Sequence, residues 1–315
     1  KPDPAAIRLD WPRLGAVIAE AATRVRMPLA IPLMDLTLEK GELLHMLGIP
    51  YEQSLNHHFP GEIGPDLLET VQRHLADRPD VRWQAQLGAI RFVAAQPGLV
   101  PVGMCIGPFS LMTKLLADPI TPVYLAGEAG LAGTPPTADP SVLDVERALQ
   151  LAEWIIHRSI AHQIRAGAKA MFIAEPAANV AFISPKQLDA GVDTWERYVM
   201  APNRRIRRQL DAAGAELIFH CCGEICEKML VGFASLDAAI LSLGSSRHLW
   251  EDAELMPEST VLYGNLPTKR FYSDELVSDA DVVRMTTELA ARMRETGQPF
   301  ILGSECDVLA VPGSE

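Results

Sequence analysis

Short apolar runs alternate with longer amphipathic stretches along most of the chain. Leu29–Met34, Val100–Ile106, Ala170–Ala174, Glu216–Phe219, Ala238–Leu243, Thr260–Tyr263 and Pro299–Leu302 are almost continuously apolar, the pattern of strands covered on both faces. Between them, Asp66–Ala76, Arg82–Ala95, Val145–Ala166, Trp195–Ala213 and Asp279–Glu295 repeat apolar residues with helical spacing. The last of these follows Ser278, a good N-cap, and stops at Gly297, which suits the left-handed residue beyond a helix end. Strands separated by helices build βαβ units and a parallel sheet. Seven of them in 315 residues predict an α/β chain folded as a (β/α)8 TIM barrel rather than a doubly wound sheet. The eighth strand has no run of its own; Gln53–Phe59 and the residues before Met27 are its two candidate positions.

No repeat or linker divides the chain, so one barrel domain over 1–315 is expected. One segment breaks the rhythm: Asp118 to Pro140 carries Pro119, Pro122, Pro135, Pro136 and Pro140 with Gly127, Gly130 and Gly133. That density argues against a regular element and predicts a lid or mobile loop on the C-terminal rim.

Composition narrows the classes. Apolar residues make up 48% and charged residues 22%, enough for a sizeable core and against disorder. The formal charge of −12 disfavours nucleic acid as a partner. No apolar run approaches the roughly 20 residues of a membrane span. The first residues show no charged-then-apolar signal pattern. Five cysteines, an odd number, are no disulfide framework, so a reducing, cytoplasmic setting is expected.

The sharpest chemical signal is Ile218-Phe219-His220-Cys221-Cys222-Gly223-Glu224. It ends a predicted strand, and residues two apart on a strand share a face, so His220 and Cys222 project together while Cys221 points away. Phe300-Ile301-Leu302-Gly303-Ser304-Glu305-Cys306-Asp307 is a second apolar run ending in a cysteine. In a parallel barrel both would end at the C-terminal rim, where active sites are built. One imidazole and two thiolates form a zinc set with an open fourth position. The same residues also read as small buried cysteines and a satisfied core histidine. Cys105 and Cys226 read as plain packing residues. Glu175 and Asp35 end other strands: Glu175 is placed as a fourth ligand, a general base or a helix cap, Asp35 as a substrate holder or loop organiser. Ser242, Tyr263 and Asn265 are expected to line the pocket, although Asn265 beside Gly264 also reads as a residue that shapes a turn. His57-His58 reads as surface, and Arg204-Arg205-Ile206-Arg207-Arg208 as a solvated helix face or a docking patch.

Several of these pieces, in this order, resemble the uroporphyrinogen decarboxylase superfamily and, within it, the corrinoid-dependent methyltransferases. They are Met34-Asp35-Leu36-Thr37, Gly103 to Leu111, Ile183-Ser184-Pro185, His220-x-Cys222, Gly264-Asn265-Leu266-Pro267 and Gly303 to Glu315. The decarboxylases' arginine-rich N-terminal motif and Gly-Arg-Tyr are missing, which points to the methyltransferase branch, of the methylcobalamin:coenzyme M type. The resemblance implies zinc on His220, Cys222 and Cys306. It also implies a corrinoid (cobalamin) carried by a partner protein and a small thiol or methylated substrate, and it is compatible with a homodimer. Methyl transfer is the activity it implies. The alternatives are a tetrapyrrole decarboxylase and a non-catalytic corrinoid-binding or tetrapyrrole-binding protein of the same fold.

Overall fold

The computed structural model describes residues 3–135 and 138–308. Seven parallel strands run in chain order across one curled sheet: β1 (Leu29–Ala30), β2 (Val100–Ile106), β3 (Ala170–Ala174), β4 (Glu216–Cys221), β5 (Ile240–Leu243), β6 (Val261–Leu266) and β7 (Phe300–Ser304). Each pairs only with its neighbours in sequence, as right-handed strand–helix–strand units require. The sheet curls until residues beside β1 and β7 border one cavity, giving the TIM-barrel architecture.

The alternation along each strand sorts two cores. Val102, Met104, Ala170, Phe172, Ala174 and Ile218 point inward and fill the barrel. Their neighbours Cys105, Met171, Ile173, Phe219 and Cys221 face the helical layer, where the larger core lies. Both faces are covered, which is why the strands read as unbroken apolar runs.

No eighth strand forms among the described residues. Trp11–Arg24, before Met27, is a helix with an Asp10 cap. Tyr51–Gln53 opens with a 3-10 turn, and Phe59 makes only an isolated bridge to Leu116 before Pro60. β1 is also shorter than its apolar run, since 31–34 leave the ladder and turn over the barrel mouth.

Asp118–Pro140 is mostly helix rather than irregular loop. Ile120–Ala132 is helical and ends on Gly133 at φ 67°, and Pro140 opens the long Pro140–Arg165 helix. Pro136 lies outside the described residues. Pro119, Pro122 and Pro140 sit at or near helix starts, where their missing N–H costs nothing. The glycines sit where a neighbour approaches: a Cβ on Gly127 would lie 2.1 Å from Gln187, and one on Gly130 3.2 Å from Val192. The helix Asp279–Thr296 has the expected ends, a Ser278–Asp281 capping box and Gly297 at φ 72°.

Candidate metal centre

β4 sets the first half of the site. Ile218 packs inside the barrel and Phe219 outside, so His220 turns inward again and Cys221 outward. Cys221 is fully buried, its thiol donating to the Ala178 carbonyl at 3.5 Å. Cys306 follows β7 by two residues. The ligand atoms of His220, Cys222 and Cys306 all lie within 4.8 Å of one another.

The imidazole is aimed. Its Nδ1 lies 2.9 Å from the Ser242 Oγ, and its Nε2 is buried with no hydrogen-bond partner among the described residues. An orphaned buried nitrogen is costly unless something else takes its lone pair. Phe172 flanks the ring at 5.4 Å between centroids. Cys222, and after it the imidazole, draws the Cys306 pKa down to about 4. Cys306, together with burial, pushes the Cys222 pKa up. Two sulfurs and an unpartnered nitrogen, the nitrogen oriented by an outer hydrogen bond, fit a zinc ion.

The turns that carry the cysteines are tied together. Thr268 Oγ1 donates to the Cys306 carbonyl at 2.9 Å, and Lys269 Nζ to the Cys222 carbonyl at 2.8 Å. Glu305 is buried, accepts from Ser245 N at 2.9 Å, and lies 3.7 Å from Lys269 Nζ. Gly244 passes beneath Cys222: a Cβ there would fall 2.8 Å from the Cys222 carbonyl oxygen.

Before this cluster lies a cavity of about 250 Å³, the bulk volume of about eight waters. Its wall is largely apolar, with Met34, Met104, Phe172 and Ile218, and its polar groups include His220, Ser242, Tyr263, Cys306 and Asp307. Burial first, then the neighbouring Cys306, raises the Asp307 pKa.

Tyr263 and Ser242 therefore line the pocket as expected, though the Ser242 hydroxyl is engaged with His220. Glu175, Asn265 and Asp35 take their structural alternatives rather than the catalytic or pocket-lining ones. Glu175 faces the helical layer, because Ala174 takes the inward position. Its carboxylate accepts from Phe109 N at 3.1 Å, Ser110 N at 2.8 Å and Asn203 Nδ2 at 3.0 Å, so it caps the Pro108–Leu115 helix. Burial raises its pKa. Asn265 does not line the pocket; its Nδ2 donates to the Gly244 and Arg247 carbonyls at 2.9 and 2.8 Å. Asp35 lies in an adjoining cleft, accepting from Thr37 N at 3.1 Å and paired with Arg82, as a loop organiser. Of the basic run, Arg204, Arg205 and Arg207 pair with Glu196, Glu153 and Asp211, so it is a solvated, self-neutralised face. His58 is exposed and His57 half-buried, both away from the pocket. Thr268, Lys269, Glu305 and Asp307 were not singled out by sequence; only proximity to the late cysteine marks the last two.

The sequence model described as Uroporphyrinogen decarboxylase (URO-D) matches residues 45–311. No curated protein matches the chain. Among solved structures, a methyltransferase from Methanosarcina mazei is similar, with a TM-score of 0.65 at 15% sequence identity, covering 98% of this chain and 83% of that one. Likeness at that identity speaks to the fold. Among the described residues no helix is long and apolar enough to cross a membrane.

Proposed function

The chain belongs to the uroporphyrinogen decarboxylase family, and from that premise and the donor set we propose that it is a zinc-dependent methyltransferase. It would move a methyl group between a small thiol and a corrinoid presented by a partner protein. The observation that carries this reading is the unpartnered, buried Nε2 of His220 beside the sulfurs of Cys222 and Cys306. Propionate-gripping arginines are missing from the sequence, and a soft N/S/S donor set has no use in a metal-free decarboxylation. The structural neighbour's description as a methyltransferase agrees with the reading.

Zinc on these donors supplies a mild Lewis acid that keeps a substrate thiol ionised near neutral pH. The protein supplies the rest. Ser242 holds the His220 ring, so Nε2 faces the sulfurs without rotation. Thr268 and Lys269 hold the carbonyls of the two cysteine turns, fixing the sulfur positions before substrate arrives. Phe172, Met104 and Ile218 give the cavity an apolar wall. The cavity admits a small thiol, while a corrinoid macrocycle exceeds 250 Å³ and would lie across the mouth. Transfer to the thiol would form a carbon–sulfur bond as the bond from the methyl carbon to the corrinoid's cobalt breaks, the bonding pair leaving with the corrinoid.

The test has two arms. Purified protein should hold about one zinc per chain by elemental analysis. With methylcobalamin and thiols, the visible spectrum should report demethylation that Cys306→Ala abolishes. Zinc-free protein with unchanged thiol-dependent demethylation would overturn the reading.

A further inference from the structure

A second cavity, of about 660 Å³, shares no lining residue with the barrel mouth. It is a groove on the outer wall, between the helices Val81–Ala94 and Pro140–Arg165 and the residues around Trp11. Its charge is one-sided. The chain has 40 acidic and 28 basic residues, yet no acidic side chain lines this groove, and Arg78, Arg91 and Arg165 do.

None of the three forms an ion pair among the described residues. Arg204, Arg205 and Arg207, by contrast, each find a carboxylate. Arg78 is braced by Gln84, whose Oε1 accepts from its Nε at 3.0 Å. Arg91 and Arg165 stand in the last turns of their helices, where the helix dipole favours a cation. His162 lines the groove too, but burial and the flanking Arg158 and Arg165 push its pKa down to about 4. The positive charge at pH 7 is therefore guanidinium alone.

The groove also has a flat aromatic wall. Trp11 is 49% exposed, and its base rests on Gly88, where a Cβ would lie 2.5 Å from the Trp11 Cβ. Glycine at 88 lets the indole settle onto the helix with much of its surface left open.

Unpaired guanidinium forks fit phosphate oxygens bidentately, and an exposed indole fits a planar ring. We propose that this groove binds a nucleotide, its base against Trp11 and its phosphates on Arg91 and Arg165. The site is independent of the metal centre and of the activity assigned to it.

Calorimetric titration of the full chain with ADP at physiological salt tests this. Saturable binding is expected, weakened about tenfold or more in the double variant Arg91→Ala/Arg165→Ala. Arg91→Lys/Arg165→Lys should recover part of the affinity, which separates lost charge from lost fold. Inorganic pyrophosphate should bind about tenfold more weakly than ADP, and Trp11→Ala should erase that difference. Absence of saturable ADP binding, or affinity equal in wild type and the alanine double variant, overturns the proposal. Equal affinity for ADP and pyrophosphate overturns the base contact, and with it the nucleotide. If poly-glutamate binds through the same arginines and ADP does not, the groove is a docking face for an acidic protein and the proposal falls.

Discussion

The Nδ1 of His220 lies 2.9 Å from the Oγ of Ser242, across the β4–β5 register that pairs these two residues directly. The bond commits one ring nitrogen to the protein and leaves the other for a ligand. Ser242→Ala should therefore lower zinc affinity by about 10- to 100-fold, in the range seen when outer-shell partners of metal ligands are lost. Competition with a chromogenic chelator measures it. Unchanged affinity would show that ring packing against Phe172 is sufficient.

The strand faces make a second prediction. Cys222→Ser and Cys306→Ala should each drop zinc content to a small fraction of one per chain. Cys221→Ala should leave zinc intact and instead cost about 1 kcal/mol in urea unfolding, because its sulfur belongs to the outer core. Equal zinc loss in all three would mean that Cys221 joins the site.

Glu175 should behave as a cap. Glu175→Gln turns an amide N–H toward backbone N–H donors, leaving buried groups unsatisfied at a cost of about 1–3 kcal/mol. The folded fraction should keep its zinc. A variant of normal stability but no turnover would restore a catalytic role.

Much of this was legible in the sequence. Inward and outward residues of β4 could be read by alternation, which separated Cys221 from its neighbours. The same alternation, carried from Ala170 through Phe172 and Ala174, places Glu175 outside; position at a strand end alone could not choose the cap over a ligand or a base. Asp118–Pro140 misled because proline and glycine content was read without position: Pro119 and Pro140 start helices, and Gly133 ends one. The tethers Thr268, Lys269 and Glu305 leave no periodic trace, since each acts through one long-range contact. The helix Leu38–Met46 was missed for a related reason. It buries Glu39, Lys40 and Glu42, so its pattern looks polar where its surroundings are not.

That helix yields a pH prediction. Burial, only partly offset by a hydrogen bond from Ser159, raises the Glu39 pKa from 4.5 to about 8. Folded protein therefore holds a proton that the unfolded chain releases above about pH 4.5. This contribution to stability is fully present below that pH and is lost as pH rises toward 8, an effect of a few kcal/mol. Below about pH 6.5 the lowered His162 pKa works in the opposite sense, so melting temperatures should fall between about pH 6.5 and 8, and Glu39→Gln should flatten that slope. A slope identical in the variant would assign it to another group.

Gly244 gives the centre an unusual vulnerability. A methyl group there would collide with the Cys222 backbone, and the backbone of residue 244 is itself pinned through its carbonyl by Asn265. Gly244→Ala would shift the Cys222 turn while leaving all three donors in the sequence. A descendant of this chain could thus retain a full His-x-Cys and late Cys and still have lost its metal. Among relatives, the donors alone are an incomplete diagnostic; the residue at the end of β5 must be read with them.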